Sequence, residues 1–258
     1  MTERGDDLGE TGQLDLTDPA VAGALLAWIG GLGNCLEHEE LARRTALNPR
    51  TLGRFASGEA GRGGPETLER LLATVRLSYW VGRDVMLPVL QMMAATRQPG
   101  FQGGDEALLL AGRVGCLAVV ALVGAEPDPA EPGIPPWALH PADARAYIAC
   151  LQALADLTRR DLAGQAGISH EALRLYASGE KHFSTLLVPK LATGAGVRSS
   201  WAEGLMVPAL RTVRRLIAHP RSAELATGGW RTADPGIAPI GRPGPSLHVL
   251  PEKGEETE

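Results

Sequence analysis

The nineteen residues from Leu41 to Glu59 return 121 positions later, at Leu162 to Glu180, with seven identities that include the closing phrase Ala-Ser-Gly-Glu. Other pairs are conservative: Leu47 with Ile168, Asn48 with Ser169, and Phe55 with Tyr176. The likeness extends outward. "DPAVAGALLA" from Asp18 resembles "HPADARAYIA" from His140, and "VMLPVL" from Val85 resembles "LMVPAL" from Leu205. Pro99 and Pro220 then fall in register. Self-similarity of this kind marks a unit of about 120 residues that was copied. Whatever one copy folds into, the other is expected to repeat.

Composition says what that unit is made of. Apolar residues form 44% of the 258-residue chain but aromatics only 4%. An Ala- and Leu-rich, aromatic-poor chain favours helix over strand. In each unit a first helix is expected behind an N1-type proline, Pro19 or Pro141. A second runs near Glu37–Arg44 and again near Thr158–Gln165. A third starts behind an N-cap, Asn48 or Ser169, with Pro49 at its first position in one copy. Gly58 and Gly179 stand where a left-handed helix stop is wanted. A fourth helix is expected near Pro65–Val75 and Phe183–Gly194, and a fifth near Ser78–Thr96 and Ser200–Ala218. The fold class is all-α, built from two homologous units with extra packing helices. The length allows each unit a core of its own.

The units are expected at 19–98 and 140–220. Between them lie an apolar segment, 99–125, read as a connecting helix, and a proline-rich linker, 126–139. Residues 1–18 read as a disordered acidic tail and 221–258 as a Gly- and Pro-rich one. Charge follows the same division. The chain carries −5 overall, but residues 1–18 hold −5 and residues 251–258 hold −3, which leaves the body between them at +3. The sign of the whole chain therefore argues little against a polyanionic partner.

The stretches "LEHEELARRTALNPRTLGRFASGE" and "LTRRDLAGQAGISHEALRLYASGE" each resemble the helix-turn-helix of the lambda-repressor-like, or XRE, family of DNA-binding domains. Leu41-Ala42 and Leu162-Ala163 stand at the family's Leu-Ala positions, Ala46 and Gly167 at its tight turn, and Leu47 and Ile168 at its apolar wedge. The resemblance implies a sequence-specific binder of double-stranded DNA, a transcriptional regulator of the bacterial or phage cytoplasm. It implies that the third helix enters the major groove. Arg50, Thr51 and Arg54, and His170, Glu171 and Arg174 in the second copy, would then meet base edges. His38, Asn48, Arg159, Ser169, Lys181 and His182 would meet phosphates. Arg43, Arg44, Arg160 and Lys190 would add unspecific attraction. The second copy is the better candidate, because 157–198 holds six bases against three acids.

Other functions find little footing. No Gly-rich phosphate loop, paired-histidine helix or Gly-x-Ser-x-Gly elbow occurs, so no enzyme is expected. Cys35, Cys116 and Cys150 are far apart, which predicts neither a metal site nor a disulfide framework, and no cofactor is expected. The acidic start is unlike a signal peptide. The run 107–125 has the length of a membrane span, but Arg113 between Gly112 and Gly115 argues against one. Residues 105–125 instead suggest a buried or self-associating helix and a homo-oligomer. The rival reading comes from another class: a degenerate helix-turn-helix scaffold that binds a protein partner and not DNA. Its support is the acidic second helix of the first copy, with Glu37, Glu39 and Glu40.

Overall fold

The structure, a computed structural model, describes residues 16–33, 38–59, 64–101 and 133–218. The apolar segment 105–125, most of the proline-rich linker and the tail beyond 218 lie outside the described residues. The described residues are mostly helical, and the all-α expectation holds. In the first unit α1 spans Pro19–Leu32, α2 His38–Thr45, α3 Pro49–Ala56 and α4 Gly64–Thr74. A fifth helix follows in pieces: α5 (Tyr79–Val81), a π turn (Gly82–Met86) and α6 (Leu87–Ala95). The second unit repeats the order: α7 (Pro141–Ala155), α8 (Arg159–Gln165), α9 (His170–Ser178), α10 (Leu187–Gly194), α11 (Ser199–Trp201), a π turn (Ala202–Met206) and α12 (Val207–Ala218).

Local chemistry sets the helix starts. The Asp18 carboxylate accepts from the backbone N–H of Ala20 at 2.8 Å, and His140 Nδ1 accepts from Ala142 at 3.1 Å. Asn48 Oδ1 accepts from Arg50 N at 2.9 Å, and Ser169 Oγ from Ala172 N at 3.1 Å. Each satisfies an N–H that the helix itself leaves unpaired. The turn between the second and third helices is the same in both units. Leu47 N donates to Ala42 O and Ile168 N to Ala163 O, both at 3.0 Å. The residue before each donor is left-handed, with φ of 52° at Ala46 and 61° at Gly167. That backbone is strained for alanine and free for glycine. Ala46→Gly should therefore raise stability by about 0.5–1 kcal/mol, the strain relief exceeding the added unfolded-chain entropy; a lower denaturation midpoint would show otherwise.

The fifth helix departs from expectation in both units, and for one reason. Each π turn ends one residue short of the proline of the repeated phrase, Pro88 or Pro208, and contains the residue four positions before it. A proline inside a helix lacks its N–H and its ring collides with the carbonyl four residues back. A single widened turn relieves both problems without ending the helix. The fourth helix of the second unit also starts later than expected. Phe183 and Ser184 instead form a strand, β2, antiparallel to β1 (Ala138–Leu139) at the end of the proline-rich segment. Phe183 is buried there, edge-on to Tyr147 and Tyr176 at ring separations of 6.1 and 5.5 Å. A strand lets that ring turn inward, which the helical register of its neighbours does not require.

The two units meet through their first helices, and their cores are continuous across that contact. α1 and α7 run antiparallel. Gly31 lies against Ala146, Cys150 Sγ donates to Ala24 O at 3.4 Å, and Gly23 faces Ala153. Pro19 and Pro141 are equivalent at an offset of 122. Exchanging the helices at that offset turns the approach of Gly23 to Ala153 into one of Arg145 to Gly31. Arg145 Nη1 does donate to Gly31 O, at 3.4 Å. The units are thus related by an approximate local two-fold at a crossing lined by small side chains. The segment after α6 adds to this contact: Arg97 Nη1 donates to Leu154 O, and Phe101 packs edge-on to Trp201 at 6.2 Å.

Candidate nucleic-acid interface

Each third helix is anchored by one face and bare on the other. Leu52 and Phe55 in α3, and Leu173 and Ala177 in α9, are buried. Asn48, Pro49, Arg50 and Thr51 are exposed, as are Ser169, His170 and Glu171. The leading ends of both helices are therefore uncovered by the described residues. The trailing ends are tied down by the repeated phrase. Gly58 is left-handed, and a Cβ there would lie 2.5 Å from Thr17 O. Gly179 is left-handed too, and a Cβ there would lie 3.0 Å from Pro141 Cβ. In both units this glycine lets the chain pass against the start of the first helix. The Gly of Ala-Ser-Gly-Glu thus holds the third helix to the body.

The Glu of the same phrase acts on the exposed face. In the second unit Glu180 Oε1 accepts from Arg174 Nη1 at 3.1 Å and from Ser178 Oγ at 2.7 Å. Glu171, one turn before Arg174, takes the other edge of the guanidinium, with Nε and Nη2 donating at 3.0 and 2.9 Å. The hydrogen bond from Arg174 holds the Glu171 carboxyl below its usual range. Those from Ser178 and then Arg174 do the same for Glu180. In the first unit Glu59 lies beside Arg54: Oε2 is 3.9 Å from Nε, and Arg54 Nη2 donates to the Glu59 carbonyl at 3.5 Å. Glu59 and Glu180 were not among the sequence-level candidates. Their signal was there, in a polar residue repeated at the end of an apolar phrase.

The remaining candidates divide between the units. In the first, Arg43 and Arg44 both donate to Glu40 at 2.7 Å, which pulls that carboxyl down to about 2. His38 opens α2, and its side chain lies outside the described residues. In the second unit Arg160, Lys181 and His182 are exposed, and none forms an ion pair with a described carboxylate. Lys181 Nζ sits over the Tyr176 ring at 5.2 Å, and His182 meets the exposed Trp137 edge-on at 6.1 Å. Arg159 is half-buried. Lys190 Nζ donates to Gly167 O at 3.3 Å and so braces the turn ahead of α9.

Two further observations concern the described residues alone. No group of three or more His, Cys, Asp or Glu side chains among them could hold a metal ion. No described helix is long and apolar enough to cross a membrane. The expectation of self-association through 105–125 falls outside the described residues. Comparison with known proteins finds no matching family model, no matching curated protein and no matching solved structure.

Proposed function

We propose that the chain is a sequence-specific DNA-binding protein, a transcriptional regulator that lays the leading end of α9, and of α3 in the first unit, into a major groove. The observation that carries this reading is the bare leading end of each third helix, Asn48–Thr51 and Ser169–Glu171, on a helix whose opposite face is buried. A short helix fixed at its rear and open at its front suits groove insertion. Arg50, Thr51 and Arg54, and His170, Glu171 and Arg174, are the base-edge candidates. Asn48, Ser169, Arg159, Lys181 and His182 flank them as phosphate contacts, with His38 the further one in the first unit. The local two-fold at α1 and α7 supports two reading heads on one duplex, for half-sites about 34–36 Å apart. Because α3 begins Pro-Arg-Thr and α9 begins His-Glu-Ala, the site should be asymmetric.

Binding to a random duplex, followed by fluorescence anisotropy over a salt series, tests the reading. Affinity should fall steeply between 0.05 and 0.3 M salt, on the order of 0.9 in log–log slope for each phosphate neutralised. Arg160→Ala with Lys181→Ala should flatten that slope by about two. One observation favours a second reading, a scaffold for a protein partner: in the first unit Arg43 and Arg44 are both engaged by Glu40. A chain indifferent to duplex and to salt would select the scaffold.

A further inference from the structure

The three polar side chains on the exposed face of α9 form a network whose geometry says more than their charges do. A guanidinium carries five N–H donors in a rigid fork. Glu171 engages the Nε–H and one N–H of Nη2, and Glu180 engages one N–H of Nη1. One N–H on Nη1 and one on Nη2 remain. Donors on two adjacent nitrogens can serve two adjacent acceptors, the arrangement that guanine presents through O6 and N7 in the major groove. Free arginine side chains sample many rotamers, so fixing one before contact reduces the ordering cost of that contact. Glu171 keeps unused lone pairs beside the fork, and the major-groove partner for a carboxylate is the cytosine N4 amino group.

From this network we infer that Arg174, held by Glu171 and Glu180, is a preorganised guanine reader, so that the half-site of the second unit contains a G·C pair. The inference rests on the DNA-binding reading and sharpens it from base-edge contact in general to one base pair. Glu180 is a positioning residue. It acts through Arg174, and Ser178 Oγ fixes it in turn at 2.7 Å. The first unit has the same glutamate, Glu59, but its arginine is Arg54, which aligns with Leu175 and not with Arg174. One residue along an α-helix is a turn of about 100°. The two heads thus aim their forks in different directions, and the guanine step should not recur in the same register in both half-sites.

Selection from a random duplex pool with the full chain tests this, with Arg174→Ala, Arg174→Lys, Glu171→Gln, Glu180→Gln and Glu180→Asp beside the parent. The parent should enrich a motif with a G·C pair whose preference drops about 10- to 100-fold in Arg174→Ala. Arg174→Lys should lose that preference too, because an ammonium has no fork. The glutamate variants give the sharper readout. Glu180→Gln and Glu171→Gln remove a negative charge, so affinity for random duplex should rise slightly while discrimination at the G·C pair falls. Glu180→Asp should restore part of it. A glutamate that merely repels phosphates would raise affinity for all sequences alike, and that result overturns the inference. So does a parent motif whose G·C preferences are unmoved in Arg174→Ala. A parent that enriches no sequence at all fails at the earlier step, the DNA-binding reading itself.

Discussion

Asp143→Ala is expected to lower the stability of the chain by about 3–5 kcal/mol, the usual cost of removing one partner of a buried ion pair. Asp143 sits in the first turn of α7 with its side chain 1% exposed, and Arg214 Nε of α12 donates to its Oδ2 at 3.0 Å. Arg214 is itself only 13% exposed, so the alanine variant would leave a guanidinium charge poorly solvated beside an apolar core. The same carboxylate lies near the positive end of the α7 dipole, which adds to its value there. The first unit indicates how the site can do without charge. Its equivalents of Asp143 and Arg214 are Val21 and Ala94, an apolar pair. Asp143→Val combined with Arg214→Ala should therefore recover most of the loss, since apolar replacement of a whole buried pair is often neutral or better. Urea unfolding of the two single variants and the double one decides it. Additive losses, with no recovery in the double, would mean that the pair is not what joins α7 to α12.

The second large effect belongs to the crossing of α1 and α7. A Cβ on Gly31 would lie 2.7 Å from Ala146 Cα and 3.0 Å from Ala146 N. These are backbone atoms, so neither can rotate away. Gly31→Ala should separate the two helices and cost about 1–3 kcal/mol, as overpacking does. This loss stands against a gain of about 0.5–1 kcal/mol from the better helix former. Gly23, on the same helix and facing the same partner, is the control. A Cβ there would meet only Ala56 O at 3.6 Å and Ala153 Cβ at 3.8 Å, ordinary contacts. Gly23→Ala should therefore stabilise by about 0.5–1 kcal/mol. Opposite signs in thermal melts of two identical substitutions about two turns apart on one helix are the expected result. Equal signs would place the close approach elsewhere.

Much of the local structure was legible in the residues. The caps at Asn48 and Ser169, the prolines Pro19, Pro49 and Pro141 at the helix starts and the left-handed stops at Gly58 and Gly179 all fall at the expected positions. The exposed Arg50 and His170 also follow from placing the apolar Leu52 and Leu173 inward. The π turns before Pro88 and Pro208 and the strand at Phe183 were not foreseen. A proline in a helical pattern announces a disturbance but does not say whether the helix bends, widens or stops. A two-residue strand has no periodicity to detect.

The site divides in the same way. Which residues lie on the front of α3 and α9 depends on the helix period and on caps that reach two or three residues along the chain. A single strand of sequence can specify both. The engagement of Arg174 by Glu180 and of Asp143 by Arg214 depends on where separate turns and helices come to rest. So does the small-residue crossing that makes one core of two units. Those outcomes follow from close packing between elements far apart in sequence, where an approach of a few tenths of an ångström changes the sign of a contact. Residue order alone does not encode such distances until the helices have docked.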